Sequence, residues 1–324
     1  MTTAATERVV IPPMRMGRTI EGISAVLLPF TRDDTPDWKG FRSLLDRTWR
    51  AGQTPAVNMD TSYVNLLTAD ERRRALAEAS EVAAGRRFVA GAYIEDQEGA
   101  PERLYVDAID AIRLEGGTPI LFQCSALLAV DERRVIDVYQ QIGAAVGPPL
   151  LAFELGSMFA PFGRVYSPDF FRVLAATPAF VGLKHSSLDR AEEWRRLAIR
   201  DRERPEFRLY TGNDLAIDMV FYGSDYLLGL SAFHVEAFAA RDQFWAAGNP
   251  TAFAVNDILQ YLGFLAFREP VPAYKHSAAQ FLCARGLIAT DRTHPRNPRR
   301  PETDRALLAD IDRRIGALLD RLAR

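Results

Sequence analysis

Residues 180–189 read FVGLKHSSLD, which puts a lysine directly after four residues of a strand-like apolar run. An ammonium ion is among the costliest groups to bury. Lysine is also scarce in this chain: of 40 basic residues only Lys39, Lys184 and Lys275 are lysines. Arginine stays protonated and cannot act as an amine nucleophile, whereas lysine can once burial lowers its pKa. Lys184 therefore reads as a Schiff-base lysine, whose amine condenses with a carbonyl so that the iminium withdraws electrons from the adjacent carbon. The competing reading is a lysine that carries its head to a rim or pairs with a carboxylate.

Other polar residues fall near the ends of apolar runs. Asp60, Glu154, His185 and Asp214 could together bind a divalent cation. Strand alternation argues against that: if Lys184 points inward, His185 points outward, and Glu154 turns out if Phe153 is in. No metal is expected. Asp214, in TGND, reads as a cap for a seventh helix. Ser186 and Ser187 read as strand-ending and helix-capping residues, with no His/Asp arrangement to make either a nucleophile. Arg164 can receive a carboxylate bidentately or sit in a rim ion pair. The aromatic stretch SMFAPFGRVY (157–166) lines a pocket or packs beneath the next helix.

Eight apolar runs supply the elements that would position these groups. They are residues 22–30, 54–59, 87–94, 118–123, 149–155, 180–186, 207–212 and 225–233. Near-continuous apolar runs are what parallel strands covered on both faces require. Between them lie amphipathic stretches with helix start signals: Asp34-Thr35-Pro36, the Thr68/Glu71 capping box, Ser167-Pro168, and Ser187 before the next helix. Strand and helix alternating eight times predict an α/β fold, a (β/α)8 TIM barrel with a small C-terminal helical appendage. The expected divisions are an N-terminal extension at 1–20, the barrel at 21–248 and a helical region at 249–324. An open doubly wound sheet is the alternative, but no G-x-G-x-x-G follows the first run.

The bulk properties exclude several classes of partner. A net charge of −2, with the arginines scattered among 42 acidic residues, leaves no basic footprint for nucleic acid. Two cysteines without CxxC spacing support neither a disulfide framework nor structural zinc, and a cytoplasmic setting is expected. No signal-peptide h-region and no membrane-spanning run are visible.

Six segments, in order along nearly the whole chain, resemble the dihydrodipicolinate synthase/N-acetylneuraminate lyase family of class I aldolases and lyases. GISAVLLPF is similar to its opening strand, and LLTADERRRAL (66–76) to its Leu-Thr-x-x-Glu-Arg segment. FVGLKHSS is similar to the strand bearing the Schiff-base lysine, which implies that role for Lys184. YTGND (210–214), GSDYLLGLSA (223–232) and EPVPAYKHSAAQFLCARGLI (269–288) are similar to later family segments. Lys275 then reads as structural and Lys39 as a solvated helix lysine.

Two departures from the family pattern fall at the chemistry. The Gly-Thr-Thr-Gly-Glu turn that holds a 2-oxo acid carboxylate is replaced here by Met59-Asp60-Thr61-Ser62-Tyr63. The tyrosine of the proton relay is replaced by Phe153, and CSALLAV (124–130) lacks the tyrosine that the family donates across a subunit interface. The resemblance implies a lyase acting through Lys184 on a 2-oxo acid or related small carbonyl compound, with no external cofactor and a homo-oligomeric state. Tyr63, Asp60 or Glu154 would replace the relay. Thr61, Ser62, Phe153, Arg164 and Ser231 would contact substrate. The alternatives are a dehydratase acting on a sugar acid and a catalytically silent ligand-binding protein.

Overall fold

A computed structural model describes residues 9–322; residues 1–8 of the expected N-terminal extension and the last two residues of the helical region lie outside them. Eight parallel strands close on themselves in sequence order, with β8 hydrogen-bonded back to β1. They are β1 (Gly22–Ala25), β2 (Thr54–Val57), β3 (Val89–Ala92), β4 (Thr118–Leu121), β5 (Leu150–Leu155), β6 (Phe180–Ser186), β7 (Arg208–Thr211) and β8 (Asp225–Leu228). Each lies inside one of the eight apolar runs. Several are shorter than their run, because the chain leaves the sheet and turns while still apolar. After β2, for example, Asp60–Ser62 form a 3-10 turn, and after β8 Leu230–Ala232 form another.

Outside the barrel lie α1 (Trp38–Arg50), α2 (Ala69–Ala83), α3 (Pro101–Leu114), α4 (Ser125–Leu128), α5 (Glu132–Val146), α6 (Pro168–Ala176), α7 (Arg190–Glu203) and α8 (Val235–Ala246). Thr68 and Glu71 cap α2 reciprocally, and the Ser167 hydroxyl accepts from the Phe170 N–H at the start of α6. Two caps differ from expectation. Asp37 caps α1 in place of the Asp34-Thr35 pair, and Asp189 caps α7 in place of Ser187. The connection from β7 to β8 is a 3-10 helix, Ile217–Tyr222, so one of the eight expected helices is missing. The chain then adds α9 (Thr251–Ala266), α10 (Tyr274–Ala284) and α11 (Asp304–Leu322).

Strand alternation sorts the side chains into two layers. Ile23, Val89, Ile120, Leu151, Phe153, Tyr210 and Leu227 fill the barrel interior. The outward residues pack against the helices in a second, larger core. The β5–β6 register pairs Phe153 with Lys184 and Glu154 with His185. The first pair faces in and the second faces out, as alternation requires.

The outward pair forms a buried polar network. Glu154 Oε1 accepts from His185 Nδ1 and Arg196 Nε, both at 2.6 Å, and Oε2 accepts from the Tyr166 N–H at 2.9 Å. Arg196 is fully buried and also donates to the Tyr166 carbonyl at 2.6 Å. Burial alone would raise the Glu154 carboxyl, but Arg196, His185 and the Tyr166 N–H outweigh it and hold the group down at about 2. Its contribution to stability is therefore complete above the ordinary value of 4.5 and is lost as the pH falls from there through about 2. Arg196→Met leaves this carboxylate buried with only His185 and the Tyr166 N–H as partners. The variant is expected to lose about 3–5 kcal/mol of unfolding free energy in urea at neutral pH. A loss below about 1 kcal/mol would show that the pair does not hold β5, β6 and α7 together.

Candidate active site

Lys184 sits on β6 near the C-terminal mouth of the barrel and is partly accessible. The cavity around it is lined by Asp60, Thr61, Phe153, Ser186, Asp214 and Tyr274, with Phe159 and Phe267 among its apolar walls. Its free volume is about 30 Å³, room for one or two water molecules. Lys184 Nζ stands 3.9 Å from the centroid of the Phe153 ring, with the aromatic face towards it. Gly212 admits the lysine stem: a Cβ there would lie 3.0 Å from Lys184 Cε.

Burial pushes the Lys184 ammonium down from the ordinary lysine value, against the carboxylates of Asp214 and Asp60, which hold it up. The Phe153 ring opposes burial too, but cation–π contact is worth about 0.5–2 kcal/mol, or at most about 1.5 pK units. On balance the amine falls to about 8, so desolvation wins. The Asp214 carboxyl moves the other way. Burial raises it, against the Leu230 N–H that donates to it at 2.7 Å and against Lys184. An amine made easier to deprotonate thus shares a cavity with a carboxyl made easier to protonate. Asp214 caps no helix, which corrects the sequence reading. Its side chain turns instead to the loop after β8.

The turn after β2 supplies the other polar wall. Asp60 accepts from Lys275 Nζ at 3.0 and 3.1 Å and from the Tyr274 hydroxyl at 2.8 Å. Thr61 Oγ1 lies 2.9 Å from the same hydroxyl. Both partners come from the first turn of α10, so the helical appendage completes the mouth of the barrel. Phe267 stacks on Tyr274 with ring centroids 4.3 Å apart. Burial, and after it the charge of Asp60, raises the Tyr274 phenol. Tyr274 was missed in the sequence, although it directly precedes Lys275 in EPVPAYKHS.

Ser186 lies two residues beyond Lys184 on the same strand face, is 2% exposed and lines the cavity. Its hydroxyl has no hydrogen-bond partner among the described residues. The sequence reading treated it as a strand terminator, so the structure adds it to the site.

Other expected site residues lie elsewhere. Tyr63 follows the 3-10 turn in a left-handed conformation, φ 60°, which swings it out of the cavity to pack edge-on against Phe30 and beside His294. Its buried hydroxyl is unpartnered, and it cannot serve as the relay from there. Ser62 Oγ is bound within the turn, accepting the Met59 N–H and donating to the Met59 carbonyl, both at 3.0 Å. Arg164 donates to the carbonyls of Leu128 and Val130 and ties the loop after β5 to the one after β4. Ser231 donates to Ser24 Oγ and the Leu228 carbonyl in the barrel wall. Glu154 and His185 face outward.

Ser187 Oγ lies 2.6 Å from His185 Nε2, so a serine–histidine–carboxylate chain does exist, contrary to expectation. Ser187 is not part of the Lys184 cavity, its oxygen accepts the Asp189 N–H, and the Glu154 charge is matched by Arg196. Among the described residues no three His, Cys, Asp or Glu side chains converge to hold a metal ion. No described helix is long and apolar enough to cross a membrane.

The site carries its own titration test. Competitive acetylation, mapped peptide by peptide over the three lysines, is expected to show Lys184 gaining reactivity well below pH 10.5. A midpoint at or above that value would contradict a desolvated amine.

No protein-family model matches the chain, and no curated protein matches it. Solved structures do. A dihydrodipicolinate synthase from Thermotoga maritima aligns with a TM-score of 0.79 at 17% identity, over 92% of this chain and 99% of that one. The chloride-inhibited dihydrodipicolinate synthase from Acinetobacter baumannii, complexed with pyruvate, gives 0.75 at 22% identity over 92% and 99%. YagE from E. coli K12, a prophage protein of the dihydrodipicolinic acid synthase family in complex with pyruvate, gives 0.77 at 15% over 92% and 98%. The eight-stranded barrel with its C-terminal helices is the fold of the dihydrodipicolinate synthases.

Proposed function

We propose that the chain is a divergent member of the dihydrodipicolinate synthase family, a class I lyase or aldolase that binds a small carbonyl compound as an imine on Lys184. The observation that carries this reading is the desolvated Lys184 amine at the barrel mouth, set between the Phe153 face and the Asp214 carboxyl.

The neutral amine adds to the substrate carbonyl carbon, and the carbonyl oxygen takes up a proton. A second proton lets that oxygen leave as water and gives the iminium, so a C=N bond replaces the C=O bond, the nitrogen gives up one of its two protons, and no redox partner is needed. Asp214, with its carboxyl raised by burial, is the proton donor and then the acceptor. The Phe153 ring cannot relay protons, but its π-face stabilises the cationic nitrogen. Tyr274, hydrogen-bonded to Asp60, takes the place of the missing relay tyrosine. It serves the carbon from which the iminium withdraws electrons. The Ser186 hydroxyl is free to bond the oxygen that leaves.

Cyanoborohydride in the presence of a panel of small carbonyl compounds is expected to reduce an adduct onto Lys184, read by intact mass and peptide mapping. Lys184→Arg is expected to give none. Tyr274→Phe keeps the adduct but is expected to slow α-proton exchange in D2O by about 10²–10⁴-fold, the usual worth of a positioned acid–base. An adduct that forms equally in Lys184→Arg would overturn the assignment of the nucleophile.

A further inference from the structure

The side chains of the polar wall formed by Asp60, Thr61 and Tyr274 offer the Lys184 cavity acceptors and no free hydroxyl proton. An ionised carboxylate offers about four acceptor positions. Asp60 has three of them filled, two by Lys275 Nζ and one by the Tyr274 hydroxyl. Because that hydroxyl gives its single proton to Asp60, the contact with Thr61 must run from Thr61 Oγ1–H to the Tyr274 oxygen. Both side-chain hydroxyl protons of this wall are thus committed, and what its side chains leave free is a lone pair on Asp60 Oδ1 and the lone pairs of Thr61 Oγ1. Asp60 keeps a side-chain exposure of 34%, whereas Lys275 keeps 3% and does not line the cavity. No arginine or second lysine lines it either.

The seat where an anionic substrate group would need donors is therefore filled by a carboxylate of the protein itself. A substrate carboxylate or phosphate placed there would meet the lone pairs of an ion-paired carboxylate, and the cation that pairs it, Lys275, does not line the cavity. A hydroxyl would supply the proton that Asp60 Oδ1 lacks.

From this wall we infer that the site selects uncharged α-hydroxycarbonyl compounds, such as hydroxyacetone or glycolaldehyde, and rejects 2-oxo acids. This inference rests on the imine at Lys184 and narrows what forms it. The carbonyl carbon takes the Lys184 nitrogen and releases its oxygen as water, while the neighbouring hydroxyl donates to Asp60 and remains intact.

Hydroxyacetone and pyruvate, each titrated with cyanoborohydride, provide the test, with adducts counted separately on Lys39, Lys184 and Lys275. Exposed Lys39 reports the background reaction. Half-maximal labelling of Lys184 is expected at a hydroxyacetone concentration on the order of a hundredfold below that for pyruvate, the factor that juxtaposed like charges command. Asp60→Asn is expected to narrow that ratio by admitting pyruvate. Since this variant strands a buried lysine, Asp60→Asn with Lys275→Met provides the same reading without an unpaired charge. Pyruvate labelling Lys184 at equal or lower concentration would overturn the selectivity and leave the imine assignment standing. Labelling of Lys184 by neither compound nor any other in the panel would overturn both.

Discussion

The desolvation of one amine is the constraint around which this site is arranged. Lys184 is carried to the barrel mouth by a strand whose neighbouring residues are buried. Its charged form is opposed by lost hydration and supported by two carboxylates and an aromatic face. Neither side is overwhelming. A carboxylate in direct contact would hold the proton, whereas a wholly apolar surround would leave no group to move protons. Among the described residues no ion pair includes Lys184, and the nearest supporting group is the Phe153 ring. The position of Asp214, close enough to act on Lys184 but anchored to the Leu230 N–H, sets the balance.

A second constraint couples the appendage to the barrel. α10 delivers Tyr274 and Lys275 in successive positions, and both side chains end on Asp60. The turn after β2 is thereby held from outside the barrel. That anchoring replaces what a glycine-rich turn would do with its own backbone. The chain between Met59 and Tyr63 carries no glycine, and it accommodates the change of direction by a 3-10 turn closed by the Ser62 hydroxyl and a left-handed Tyr63. Tyr63 is displaced from the cavity as a direct result. The phenol of Tyr63 thus lies outside the cavity, and the one that lines it, Tyr274, comes from α10.

Periodicity made the barrel legible. Eight apolar runs, the Thr68/Glu71 box and Ser167 before α6 are local signals, and local physics decides them. Alternation likewise placed Phe153 and Lys184 inward and Glu154 and His185 outward. What could not be read was the contact between residues far apart in the chain. Tyr274 reaches Asp60 across 214 positions, and no spacing rule encodes that meeting. Turn geometry was equally opaque: whether Tyr63 enters the cavity depends on a single φ that its residue type does not dictate. The Ser187–His185–Glu154 chain escaped notice because His185 and Glu154 meet only through the β5–β6 register.

Lys184 and Lys275 show how geometry assigns chemistry to one residue type. Lys275 ends on a carboxylate, with both Asp60 oxygens about 3 Å away, and this contact makes it a strut for a turn. Lys184 ends over a ring, with no oxygen of a carboxylate in hydrogen-bond contact, and that leaves its lone pair within reach of a carbonyl carbon. Arginine could replace the first in charge, although not in shape. It could not replace the second at all, because a guanidinium does not deprotonate in a protein. In a chain that uses arginine for 37 of its 40 basic residues, with three lysines making up the rest, Lys184 is the position where the proposed imine needs an amine. Asp60 links the two lysines. It is neutralised by one and helps hold up the charge on the other, so the strut and the desolvated amine share a single carboxylate.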